Sequence, residues 1–89
     1  MNSIELNPRL RGQWQAEWRY YHLVYLEGET SNNSILQEVA LQRFYRLLQE
    51  VFFSGFYLED LELPNLDLII KQLKSKGYKL ATKHRPDTN

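Results

Sequence analysis

Two helices packed on one face of a small two- or three-stranded sheet, an α+β fold, is the architecture that the sequence predicts. Three observations point to it. The stretch from Ile35 to Phe53 repeats its apolar residues with helical period, a shorter helical stretch runs from Leu66 to Lys76, and the segment after Gly77 alternates as a strand does. An all-α helical bundle is the alternative. Single glycines and prolines at Asn7-Pro8, Gly28, Ser54-Gly55, Pro64-Asn65 and Gly77 divide the chain into these stretches.

In the longest stretch, Leu36, Ala40, Leu41, Phe44, Leu47, Leu48, Val51 and Phe52 share one side of a cylinder that turns by about 100° per residue. Glu38, Gln42, Arg43, Arg46, Gln49 and Glu50 take the other side. Asn33 or Ser34 can accept the first unpaired amide hydrogens, and Gly55 suits a left-handed residue just past the end. The apolar arc is wider than one neighbour requires, so this helix is expected to contact two elements, or one element and a partner molecule. In the second helix Leu66, Ile69, Ile70 and Leu73 fall together, Asn65 is the cap, Gly77 is the stop, and Asp67 precedes Lys71 at ion-pair spacing. Leu68 points elsewhere, either beneath the Phe56 to Leu63 segment, the favoured reading, or exposed as an apolar residue; that segment can supply a third short strand or a helical turn.

Trp14 to Glu27 fits both periods. Alternation puts Trp14, Ala16, Trp18, Tyr20, His22, Val24 and Leu26 on one face of a strand. Helical period instead aligns Leu10, Trp14, Trp18, Tyr21 and Tyr25, with Pro8 as first helical residue and Gly28 as stop. Backbone pairing favours the strand: Tyr78 to Lys83 reads as a strand, a lone strand leaves its amides and carbonyls unpaired, and the aromatic segment is the best partner on offer.

Length and composition bound the function. With 89 residues and 10.7 kDa, residues 1–89 form one small domain, with residues 1–7 and 85–89 expected to fray. A hydrophobic share of 43% with 25% charged residues suits a packed core. Zero cysteines exclude disulfides, thiolate metal sites and thiol catalysis, and make a reduced, cytoplasmic compartment the default. The opening MNSIELNPRLRG holds no signal-peptide core, and no run reaches the roughly 18 apolar residues that a membrane span requires.

Chemistry finds little support. His22 and His84 are far apart and lack ligand-spaced neighbours, so no metal is expected. Glu59, Asp60 and Glu62 cluster, but acid–base work needs a walled cleft, and an exposed edge is the simpler reading. No GxSxG elbow and no glycine-rich phosphate loop occurs, so neither an enzyme nor a cofactor is expected.

Charge is segregated. Residues 1–64 carry five Arg against nine acids, and residues 65–89 carry six basic residues against two acids, so the zero net charge hides a −4/+4 division. Lys71, Lys74, Lys76, Lys79, Lys83 and Arg85 can neutralise phosphates. The stretch NLDLIIKQLKSKGYKLATKHR, a short helix, a glycine stop and a basic strand, resembles in outline the last helix and wing of winged-helix DNA-binding domains. That resemblance implies a nucleic-acid-binding regulator. The helix offers only Gln72 for base edges, since it has no Arg and its Asn is at the cap.

The densest feature is aromatic: Trp14, Trp18, Tyr20, Tyr21 and Tyr25 lie within twelve residues. A chain this short cannot cover both sides of such a segment, and Tyr and Trp beside Arg are typical of protein interfaces. The strand reading puts Arg19, Tyr21, Leu23 and Tyr25 on the uncovered face, opposite Trp14 and Trp18. The expectation is therefore a non-enzymatic interaction module or accessory subunit, binding a protein partner or a second copy through those residues. The outer side of the Ile35 to Phe53 helix is a further candidate surface.

Overall fold

The computed structural model describes residues 8–85; of the ends expected to fray, 1–7 and 85–89, all but Arg85 lie outside the described residues, and Arg85 is bonded to Glu59 and Asp60. Three α-helices and one 3-10 turn follow in order: α1 (Pro8–Thr30), α2 (Ser34–Phe53), the turn Leu58–Leu61, and α3 (Leu66–Ser75). Among the described residues there is no strand, so the α+β sheet is overturned and the all-α alternative fits.

The aromatic segment is helical because its burial follows the helical register. Trp14, Trp18, Tyr25 and Gly28 are buried and Tyr21 is half-buried, at successive spacings of four, three, four and three residues. On α2 Gln37, Leu41, Phe44, Leu48 and Val51 repeat the same spacing, which is the seam of two closely packed antiparallel helices. Trp14 Nε1 donates to Glu50 Oε1 at 3.2 Å at one end of this seam. At the other end Gly28 lies against Gln37. The second strand of the predicted sheet is lost as well. Residues 78–85 form no ladder; their backbone bonds are Tyr78 N–H to Leu73 O, Leu58 N–H to Lys83 O at 3.0 Å and Arg85 N–H to Glu59 Oε1. Their other backbone groups need no sheet because the segment runs along the surface, where water satisfies them. The resemblance to a winged helix therefore stops at α3, because no β-wing follows it.

One device ends all three helices. Asn33 N–H bonds to Gly28 O at 2.7 Å, Phe56 N–H to Val51 O at 3.3 Å, and Tyr78 N–H to Leu73 O at 3.1 Å. In each case the preceding residue is left-handed: Asn32 (φ 56°), Gly55 (φ 82°) and Gly77 (φ 94°). Gly55 and Gly77 stand where the sequence puts them. Gly28 does not stop α1, which runs two residues further and turns at Asn32. After this turn the Asn33 side chain caps α2, accepting from Ile35 N–H at 3.1 Å and Leu36 N–H at 3.3 Å.

Side chains of α1 hold the third layer. Trp18 Nε1 donates to Pro64 O at 2.8 Å and Gln15 Nε2 to Leu61 O at 2.6 Å. Asn65 Nδ2 meets His22 Nε2 at 2.9 Å. Two loop carbonyls thus find donors on the helix beneath them. Leu58, Leu61, Leu63, Ile69 and Leu73 complete the core from this side, and α2 contacts both α1 and α3. Leu68 is not covered; it is 45% exposed. Asp67 and Lys71 make no ion pair among the described residues, where the pairs formed are Lys76–Glu38, His84–Glu59 and Arg85–Asp60.

Gly28 has a steric reason. A Cβ there would lie 2.9 Å from Gln37 Cγ and 3.0 Å from both Asn33 O and Gln37 N. Two of these are backbone atoms that cannot step aside. Gly28→Ala is expected to destabilise the fold by about 1–2 kcal/mol, overpacking outweighing the helix-propensity gain. Urea unfolding measures this, and a midpoint at or above that of the parent would show that the seam widens freely.

Candidate interaction surface

Helical geometry divides the four residues expected to form a docking face. Successive residues turn by about 100°, so alternate positions point in nearly opposite directions. Arg19 is exposed and Leu23 is 65% exposed on the outer side of α1. Tyr25 is buried in the core, with its ring 6.4 Å from that of Phe44, and burial first, then the Glu29 carboxylate, raises its hydroxyl above the usual 10.0. Tyr21 is half-buried beneath Arg43, whose guanidinium lies 5.8 Å from the ring centre. Both tryptophans are sealed inside.

The exposed apolar surface of α1 is made of other residues. Tyr20, 61% exposed, forms one stripe with Leu23 and the exposed Ala16 on the side of α1 turned away from α2, and Leu26, 38% exposed, lies at the edge of that stripe toward Gln15 and His22. Gly12 continues the line toward the amino terminus; a Cβ built there meets nothing within 4 Å. The strand reading hid this line by placing Tyr20 and Leu26 with the tryptophans. The spacing of Ala16, Leu23 and Thr30 at sevens, opposite the buried stripe, is the signal that reveals it. On α2, Ile35, Val39 and Phe53 are exposed as well, but at its two ends.

The basic residues of the carboxy-terminal part are partly committed. Lys76 Nζ lies 3.4 Å from Glu38, the Lys83 ammonium sits 5.0 Å from the centre of the Tyr57 ring, and Arg85 bonds Asp60. Lys71, Lys74 and Lys79 are exposed without an ion pair among the described residues.

Glu59 and Asp60 serve as an anchor for the last described residues. Glu59 Oε1 accepts Arg85 N–H at 2.8 Å, and Glu59 Oε2 accepts His84 Nδ1–H at 2.7 Å. His84 Nε2 lies 3.1 Å from Thr82 Oγ1. The Arg85 guanidinium bonds Asp60 and lies 5.2 Å from the Tyr57 ring centre. Among the described residues no three His, Asp or Glu side chains come together as a metal site, and no helix is long and apolar enough to cross a membrane.

The Arg85 amide, followed by the His84 ring, holds the Glu59 carboxyl at about 2, below its ordinary 4.5. A depressed carboxyl contributes stability above its ordinary value and loses it as pH falls through the folded one. The anchorage of residues 82–85 is therefore expected intact above pH 4.5 and released toward pH 2. An NMR titration of the Glu59 carboxyl and the Arg85 amide measures this; a common midpoint near 4.5 would show that the contact does not persist in solution.

Comparison with known proteins returned no matching family model, no matching curated protein and no matching solved structure, so the surface itself carries the functional reading.

Proposed function

We propose that this chain is a non-enzymatic interaction module, an accessory subunit that docks a protein partner through the outer face of α1. The observation that carries this reading is the contrast along one helix. Both tryptophans are sealed, whereas Tyr20 and Leu23 lie exposed on the opposite side, with Leu26 at its edge. Tyr20 touches the neighbouring Tyr21 ring, 5.0 Å between centroids, and still leaves most of its surface to water. Covering such side chains yields roughly 1.5–3 kcal/mol each before the costs of association. The exposed Arg19 beside Tyr20 and Leu23 supplies a polar rim of the kind found at interfaces. The cytoplasm is the compartment that suits a cysteine-free chain of this type.

Hydroxyl-radical footprinting tests the reading without naming the partner in advance. Tyr20, Leu23 and Leu26 are expected to be modified more slowly in an extract of the native cells than in the dilute purified protein, with Phe53 as an unprotected reference. Equal rates at all three positions in both settings would overturn it.

A further inference from the structure

We infer that the partner covering this face is a second copy of the chain, packed antiparallel along α1 about a two-fold axis level with residue 18. This rests on the docking reading above and goes further by fixing the occupant and its register.

The register comes from charge. Arg9 and Glu27 are both exposed, and neither has an ion-pair partner among the described residues. They stand eighteen residues apart, which at about 100° per residue is five whole turns, so they lie on one line at the two ends of the face. A two-fold axis midway between them reverses the second helix and keeps its lateral side. Arg9 of each copy then meets Glu27 of the other, once at each end.

The same axis solves two other features of α1. It brings Leu23 of one copy level with the gap between Gly12 and Ala16 of the other, and Tyr20 level with Ala16. Gly12 sits inside a helix, where glycine lowers stability, and a Cβ there meets nothing within 4 Å, so the single copy has no steric use for it. Against a second α1, that missing side chain is the hole that admits Leu23. The axis also brings the two Arg19 side chains to the same lateral side, about 3 Å apart in level at 1.5 Å rise per residue. This like-charge contact opposes association, and the other pairings must outweigh it.

Sedimentation equilibrium of the full chain from about 1 μM to 1 mM tests the proposal. The parent is expected to form a dimer, and Leu23→Glu to remain monomeric. Arg9→Glu and Glu27→Arg are each expected to weaken association about tenfold by replacing two attractions with two repulsions. The double exchange R9E/E27R restores it, and an equimolar mixture of the two single variants pairs more tightly than either variant alone. Arg19→Gln tightens the dimer. Gly12→Leu weakens the dimer while raising the melting temperature of the dilute chain, which separates association from folding. A parent that stays monomeric throughout, or a dimer that the double exchange fails to restore, overturns the proposal. If a monomeric parent still shows Tyr20 and Leu23 protected in extract, the docking face stands with a foreign partner and only self-pairing falls.

Discussion

Trp18 is the constraint on which the fold turns. Its side chain is fully buried, its ring lies 4.4 Å from that of Phe44, and its one polar atom donates to Pro64 O. An indole removed from water needs a partner for its N–H, and here the chain after α2, brought back over α1, supplies it. A single side chain thereby ties both long helices to the third layer. The 3-10 turn Leu58–Leu61 and the left-handed Glu62 and Asn65 follow from the need to deliver that carbonyl.

Charge segregation is resolved within the molecule. The acidic first part and the basic last part meet at Glu38–Lys76, Glu59–His84 and Asp60–Arg85. All three pairs are substantially exposed, so their contribution is small, and their main effect is to lay residues 78–85 along the body. Tyr78 assists by packing its ring 4.9 Å from that of Tyr45. The basic residues left outward are Lys71, Lys74 and Lys79, a thinner phosphate-binding surface than the sequence suggests.

How much was legible depended on whether neighbouring residues agreed. In α2 apolar period, the Asn33 cap and Gly55 all say helix, and the observed Ser34–Phe53 matches within a residue. In α3 Gly77 and the buried Ile69 and Leu73 agree equally well, and Asn65 stands at the start but its side chain meets His22 and does not cap the helix. In α1 they did not. Tyr20, His22, Val24 and Leu26 are apolar or aromatic at alternate positions, so a strand fitted as well as a helix, and the choice fell to the supposed needs of Tyr78 to Lys83. Those needs were overstated, since a surface segment finds water. The docking residues inherited that error: Leu23 and Arg19 are outside on either period, but Tyr21 and Tyr25 turn inward once the segment coils, and Tyr20 and Leu26 turn outward.

The shared chain reversal at Asn32, Gly55 and Gly77 bears on how the protein reaches this state. The reversal at Asn32 is written into a few adjacent residues, so α1 and α2 can find each other across a three-residue connection without closing a large loop. The bond from Trp18 to Pro64 spans 46 positions and costs far more chain entropy to close. Loop-closure cost therefore places the hairpin before the lid over the indole, and Trp18 takes part in both, against Phe44 first and Pro64 afterwards.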